Sequence, residues 1–291
     1  MTLVLMFFTY AFLGWLLEVG FYLYKHRKFV NRGFVNGPLV PIYGLSALSL
    51  HVIVFRLFDL STASMNGLIL IVIFALISIV TSFLELIGGA LLFRVFKARW
   101  WDYSNEKFNY KGFVCLKYSL MWGVMGTLLF SFVHVPYIYP NLNALALTYK
   151  RIATYFLGSY FIVDTTLTLF MLFDFRSRIT LLKSRLEGLL LNTETYMESA
   201  KSTQIRYSKK ALKSALYALK NNRPMAEIRD RLDVLKSYIA NDSDERAKQE
   251  FRKIKSLLLK LSKSHLIKGF PNLKINLKDN QDEKKKVSDD E

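Results

Sequence analysis

Long apolar runs separated by short polar connections make up the first 175 residues of the chain. A membrane-spanning helix needs about 20 mostly apolar residues. Five runs meet that length, at residues 3–24, 38–58, 68–93, 113–133 and 152–173. The connections between these runs are too short to contain a sixth span. The pattern therefore predicts an all-α, polytopic membrane helical bundle of about five spans.

The remainder of the chain is polar, with apolar residues alternately three and four apart, which is the seam of a heptad repeat. A first seam lies within residues 179–200, and two further seams lie at residues 225–239 and 251–261. After a transmembrane domain at residues 1–175, we therefore expect helices over 176–270, as a small antiparallel bundle or as a coiled coil with a partner. Residues 271–291 are charged and almost free of apolar side chains, which predicts a disordered tail. The first seam consists of Ile179, Leu182, Leu186, Leu189, Thr193, Tyr196 and Ala200.

Lysine and arginine are unevenly distributed among the connections between spans. Residues 25–36 and 94–112 carry nine of these cations, whereas the opposite connections carry three, namely Arg56, Lys150 and Arg151. Cytoplasmic loops of membrane proteins are enriched in lysine and arginine. We therefore expect a cell-membrane protein with its C-terminal region in the cytoplasm and its N-terminus outside. The first apolar run is too long for a cleavable signal peptide, so we expect it to be the first span.

The net charge of +17 comes mainly from the polar part, which holds 27 of the 40 lysines and arginines. These cations are spread along amphipathic helices without a recognised nucleic-acid motif, which argues against nucleic acid as a partner. Near a bilayer each contributes about 1 kcal/mol of attraction to anionic head groups, so membrane lipids are the expected partner. The single cysteine, Cys115, excludes an internal disulfide and a multi-cysteine metal site. His51 and His134 are expected to be isolated interfacial side chains, and no metal site is predicted.

Two segments of the membrane region share the same order of polar residues. Glu18 lies in the first apolar run and Glu85 in the third. A basic loop follows each glutamate and ends in "NRGFV" (residues 31–35) or "NYKGFV" (residues 109–114), after which the next span begins. The second loop is longer by an insertion that contains "RWWDYS" (residues 99–104). This order predicts a duplicated two-helix hairpin, with the copies related by an axis along the membrane normal.

The membrane glutamates are the main candidate functional residues, because a charged side chain in a span costs about 2.5 kcal/mol or more to insert. Gly37, Pro38 and Pro41 would keep the start of the second span irregular and leave backbone N–H groups open to an anion. We therefore expect a polar cavity on the cytoplasmic side. Its predicted lining is Glu18, Asn31, Arg32, Glu85, Asp102, Asn109 and Asp164. The predicted structural motif comprises Gly33, Gly37, Pro38, Pro41, Gly44 and Gly112.

The alternative to a functional site is a structural clasp, that is, polar contacts that only hold the helices together. In that arrangement Glu18 pairs with Arg32, and Glu85 pairs with Lys111 or Asn109. Polar contacts between membrane helices average well under 1 kcal/mol, which makes stabilisation alone a weak reason to bury two carboxylates. Both interpretations remain open from the sequence.

Four segments carry a family resemblance: "GWLLE", "NRGFVNGPLVPIYG", "WWDYS" and "GFVCLKYSLMWG". Over roughly residues 5–135 they resemble the bacterial membrane family catalogued as putative type IV ABC-transporter permeases. The resemblance implies a multi-pass protein that moves a substrate by means of a separate ATPase. The C-terminal helical region lies outside it.

Three functions are compatible with these features. The favoured one is a transport protein, an ABC-type permease subunit or a carrier of its own, with Glu18 and Glu85 as its polar centre. The sequence lacks the phosphate loop G-x-x-x-x-G-K-[ST], so ATP would act only through a partner ATPase subunit. Five spans form a small transport path, which favours a homo-oligomer.

The second is an integral-membrane enzyme acting on a lipid or amphipathic substrate at the cytoplasmic interface. The sequence shows no ATPase or hydrolase motif, nucleophile–base pair or metal-ligand cluster, which argues against an enzyme. The third is a non-catalytic membrane scaffold whose basic helical region recruits partners.

Overall fold

The computed structural model describes residues 1–57, 67–96, 98–197, 203–220, 227, 230–231, 233, 245–262 and 274–275. Helices dominate these residues, which confirms the predicted all-α membrane bundle. They are α1 (Thr2–His26), α2 (Pro41–Leu57), α3 (Gly67–Phe96), α4 (Leu116–Leu129), a π-helical segment (Phe130–Ile138), α5 (Tyr139–Ala144), α6 (Leu147–Met197), α7 (Thr203–Lys220) and α8 (Glu245–Ser262). The strands have two residues each: β1 (Ala98–Arg99), β2 (Asn109–Tyr110), β3 (Val114–Cys115) and β4 (Lys274–Ile275).

Four of the described helices are long and apolar enough to cross a membrane: Thr2–His26, Gly67–Phe96, Leu116–Ala144 and Leu147–Gly188. The apolar helix α2 has 17 residues. At 1.5 Å per residue it is about 25 Å long, somewhat less than a hydrocarbon core of about 30 Å. The five predicted runs thus correspond to five helices, of which four have the length of a full span.

The α2 helix begins at Pro41, three residues after the start of the predicted run. Residue Val40 precedes this proline and is therefore disfavoured in the α conformation, whereas a proline fits the first turn of a helix because its missing N–H is not needed there. Residues 36–40 are accordingly non-helical, as the glycine and prolines predicted.

The chain forms two compact units. The membrane unit comprises residues 1–91 and 101–169, and the C-terminal unit comprises residues 92–100 and 170–291. Helix α6 contributes residues to both, and it continues without a break through the predicted domain boundary at residue 175. That boundary remains a prediction.

The C-terminal unit has a core of leucine, isoleucine and phenylalanine from three helices. In α6 the first three seam residues, Ile179, Leu182 and Leu186, are completely buried. The side chains of the remaining seam residues in α6, and the predicted seam at 225–239, lie outside those that the structure describes. Strand β1 pairs with β4 in antiparallel register, with Ala98 opposite Ile275. The other buried apolar residues of this core include Leu212, Leu216, Phe251, Ile254, Leu258 and Leu261.

In the membrane unit, glycines allow α1 and α2 to pack closely. A Cβ atom added to Gly44 would lie 2.5 Å from the backbone oxygen of Phe7, and one added to Gly14 would overlap the ring of Tyr43. Small residues at a membrane-helix interface permit this kind of backbone approach.

The second hairpin makes an equivalent contact. Gly44 lies eleven residues after Gly33, and Gly123 lies eleven residues after Gly112. A Cβ added to Gly123 would lie 2.6 Å from the ring of Phe74 in α3. Phe7 and Phe74 each lie eleven residues before their respective membrane glutamates. These matching contacts support the predicted duplication.

We expect Gly44→Ala to destabilise the protein by about 1–3 kcal/mol, because the added methyl group meets the backbone of α1 and forces the two helices apart. The measurement is the midpoint of detergent-induced or thermal unfolding. The matched control is Gly20→Ala, because a Cβ at Gly20 would have no atom within 4 Å. The control should unfold at an equal or slightly higher midpoint, since alanine favours a helix by up to about 1 kcal/mol over glycine. Equal midpoints for the two variants would contradict the close approach at Gly44.

Candidate functional site

Glu18 of α1 lies between a tyrosine and an arginine. The Tyr43 hydroxyl donates a hydrogen bond of 2.9 Å to Glu18 Oε1. Arg32 Nη2 lies 3.6 Å from Glu18 Oε2, and the two side chains are 24% and 31% exposed, respectively. The predicted pairing of Glu18 with Arg32 is therefore present. Glu18 lies eight residues before the end of α1, about 12 Å along the helix axis.

Glu85 of α3 has a different environment. Its Oε1 atom accepts hydrogen bonds from Trp122 Nε1 at 3.3 Å and from the Tyr103 hydroxyl at 3.4 Å. Its Oε2 atom is buried and has no hydrogen-bond partner within the described part of the chain. Neither Lys111 nor Asn109, the partners considered in the clasp, contacts it there. Glu85 lies eleven residues before the end of α3, about 16 Å along the helix axis.

An aromatic contact joins the two carboxylate environments. The rings of Tyr43 and Trp122 meet edge to face, with centroids 5.7 Å apart. Each lies ten residues after the glycine of its Gly-Phe-Val motif, Gly33 or Gly112, so they occupy equivalent positions in the two hairpins. Their contact therefore joins the two predicted copies of the hairpin. The hydrogen-bond donors of both glutamates thus meet at the interface of the repeat.

The two motif asparagines organise the loops. Asn31 Oδ1 accepts hydrogen bonds from Trp15 Nε1 at 2.7 Å and from the Gly33 N–H at 2.9 Å, and its amide donates to the Asn36 carbonyl at 2.6 Å. In the second copy, Asn109 Oδ1 accepts the Gly112 N–H at 3.1 Å. Side chains of this type commonly hold turns by bonding to nearby backbone groups.

The insertion in the second loop places aromatic side chains on α3. Trp101 Nε1 donates a hydrogen bond of 2.8 Å to the Phe113 carbonyl, and both rings lie against Gly89. Burial raises the pKa of the Tyr103 hydroxyl, which therefore stays protonated and can donate. Asp102 Oδ1 accepts the Ser104 N–H at 3.1 Å and so shapes the turn of this insertion.

Asp164 of α6 holds the irregular segment before α2. Its two carboxylate oxygens accept the backbone N–H groups of Asn36 at 3.1 Å and of Gly37 at 2.8 Å. Asn36 also donates from its side chain to the buried Thr168 hydroxyl at 3.1 Å. Asp164 is 6% exposed, and a side chain at Gly37 would overlap Asp164 and Tyr160. Backbone polar groups within a membrane bundle need such internal partners.

The structure thus brings together only some of the predicted residues. Glu18, Arg32 and Glu85 lie around the Tyr43–Trp122 contact, whereas Asp164 shares no hydrogen-bond partner with the two glutamates. The predicted common cavity remains a prediction. The aromatic donors were not among the predicted site residues, although their equal spacing from the motif glycines was visible in the sequence.

The sequence did not predict a second polar cluster farther along the same helices. The Tyr10 hydroxyl lies 2.9 Å from His134 Nδ1, and His134 Nε2 lies 3.1 Å from His51 Nδ1. All three side chains are buried, so the expectation of isolated interfacial histidines is wrong. His134 belongs to the π-helical segment, which also contains Pro136; π-helical turns occur frequently at functional sites.

We expect Asp164→Asn to destabilise the protein by about 1–3 kcal/mol, because the asparagine amide cannot accept the second backbone N–H. Hydrogen exchange at Asn36 and Gly37 should accelerate, and the unfolding midpoint should fall. Asp174→Asn is the control, because Asp174 is 58% exposed and pairs with Arg178 on the same helix. Such an exposed pair contributes about 0–1 kcal/mol. Unchanged exchange at both amides in Asp164→Asn would contradict the assigned role.

We expect Tyr10→Phe to lower stability by about 1–3 kcal/mol, because it leaves a buried histidine nitrogen without its partner. Tyr137→Phe is the matched control, since Tyr137 is 63% exposed. Unfolding midpoints in detergent measure both. If the two variants unfold at the same midpoint, Tyr10 does not stabilise the histidine pair.

A family model described as "Putative ABC-transporter type IV" matches residues 5–169 of the chain. The match extends beyond the segment that carries the resemblance in the sequence, and it includes Glu18, Glu85 and Asp164. Neither a curated protein nor a solved structure gives a significant match. Because the family match covers more than half of the 291 residues, the chain belongs to the family described as putative ABC-transporter type IV.

Proposed function

We propose that this chain is the permease subunit of an ABC-type membrane transporter and that Glu18 and Glu85 form its polar centre. The family and the long apolar helices support a membrane protein related to transport. The observation that carries the finer proposal is the position of the two glutamates. The predicted duplication makes them equivalent residues, and their donors Tyr43 and Trp122 touch each other.

Transporters built from internal repeats commonly place substrate and ion sites near the bilayer midplane, at the interface between the repeats. Glu18 and Glu85 lie about 12 and about 16 Å from the ends of their helices, which is consistent with a site inside the bilayer. A carboxylate at that depth is a default candidate for a substrate or ion pathway.

The energy source in this proposal is a separate ATPase subunit. The chain has no phosphate loop of its own, so ATP binds only to that partner. The bias of lysine and arginine supports a cytoplasmic location for the two basic loops and for the C-terminal unit. They would then be available to the ATPase and to anionic lipids. A homo-oligomer would enlarge the transport path of five helices.

The experiment that tests the partnership is purification of the chain from native membranes in nanodiscs, followed by mass spectrometry. We expect a stoichiometric ATPase subunit. Recovery of this chain alone, as a monomer or a homo-oligomer, would contradict the permease role.

We expect Glu18→Gln and Glu85→Gln each to lower ATP hydrolysis by the purified complex at least about tenfold, equivalent to 1.4 kcal/mol in the barrier. The reason is that both remove a charge or an acidic proton from the polar centre while keeping the side-chain size. The matched control is Glu106→Gln, because Glu106 forms its ion pair with Lys117 in the loop region. Unchanged unfolding midpoints would show that the variants fold. Wild-type turnover in both membrane variants would rule out the proposed centre.

A further inference from the structure

We propose that Glu85 is a proton-binding site, whose carboxyl group carries a proton in the described conformation. This inference rests on the proposed transport function. It identifies the proton as an ion whose binding is coupled to transport. Its first support is the unequal use of the two carboxyl oxygens. Trp122 and Tyr103 both donate to Oε1, whereas Oε2 is buried without a partner within the described residues.

This pattern fits a neutral acid better than a carboxylate. An ionised group carries charge on both oxygens, and a buried charge needs a counter-ion or hydrogen-bond donors at each. In the protonated acid, Oε1 is the carbonyl oxygen that accepts both bonds, and Oε2 bears the hydrogen. The geometry of Glu85 supplies donors only where the neutral acid requires them.

Comparison of the two copies gives the second support. Arg32 directly precedes Gly33 and reaches Glu18. The equivalent residue, Lys111, directly precedes Gly112. Among the described residues, however, the hydrogen-bond partners of Glu85 are Trp122 and Tyr103.

The hairpin formed by β2 and β3 explains this difference. Lys111 lies in its turn with φ 52°, and its exposed side chain places Nζ 5.4 Å from the ring centroid of Tyr110. Phe108, directly before β2, also has a positive φ of 53°. The contact of Lys111 is thus with Tyr110, and within the described residues Glu85 has no ion pair like that of Glu18 with Arg32.

The groups facing Glu85 make a proton the fitting ligand. Tyr103 from the loop and Trp122 from α4 contact Glu85 directly. Tyr43 from α2 packs on Trp122, and beyond it Glu18 from α1 is paired with Arg32. Arg32, the cation of this group, is thus paired with Glu18. Oε2 has no accessible surface in this conformation, which leaves no space for a metal ion or an organic cation.

Infrared spectroscopy of the complete chain in nanodiscs tests this proposal. The protein is labelled with ¹³C-glutamate, which separates glutamate carboxyl bands from those of aspartate. At neutral pH we expect one protonated-carboxyl C=O band that Glu85→Gln loses and Glu106→Gln keeps. Trp122→Phe should move this band to higher frequency, because the carbonyl oxygen Oε1 loses a donor. The frequency shift identifies Glu85 even if Glu85→Gln fails to fold.

Three outcomes would overturn the proposal. They are the absence of the band from the wild type, its persistence in Glu85→Gln, and its loss when sodium or potassium is raised a hundredfold at constant pH. The last outcome would identify a metal cation as the ligand. The spectrum does not depend on turnover. A Glu85 band combined with wild-type ATP hydrolysis in Glu85→Gln would uphold the proton site and refute the part of Glu85 in the proposed polar centre instead.

Discussion

The hydrogen bond from Tyr43 to Glu18, together with its equivalent from Trp122 to Glu85, is the interaction on which the membrane unit depends. Each donor is followed directly in the sequence by a glycine that packs against the neighbouring helix. The glycine allows the helices to approach, and the approach brings the donor within reach of the carboxylate. A buried polar group without a partner is costly, so this pair of contacts also fixes the register of each hairpin.

Asp164 meets a second requirement of the same kind. Pro41 sets the start of α2, which leaves the N–H groups of Asn36 and Gly37 outside any helix. A membrane bundle offers these groups no water, and Asp164 supplies both acceptors from α6. Asp164 is therefore explained by the backbone that it satisfies, whereas Glu85 retains an oxygen that nothing in the described structure satisfies.

The sequence predicted the features that follow from local composition, and it missed those that depend on tertiary contacts. The apolar runs predicted the helices, and the shared motif order predicted the hairpin equivalence. Tyr43 and Trp122 were missed because aromatic residues in membrane helices are usually assigned to the interfacial belt. The pairing of His51 with His134 depends on how α2 meets the π-helical segment, which no spacing along the chain reveals.

The two predicted copies of the hairpin carry different side chains at some equivalent positions. Glu18 pairs with Arg32, whereas the contacts of Glu85 within the described residues are Trp122 and Tyr103, neither of which is a cation. Farther along, Phe55 and His134 occupy equivalent positions, each 22 residues after its motif glycine, and their rings meet with centroids 6.4 Å apart. A duplicated bundle with identical polar groups would present two equal sites. Separate environments for paired titratable groups are what allow them to hold different protonation states. In the proposed proton site, the different position of Lys111 thus distinguishes Glu85 from its predicted equivalent, Glu18.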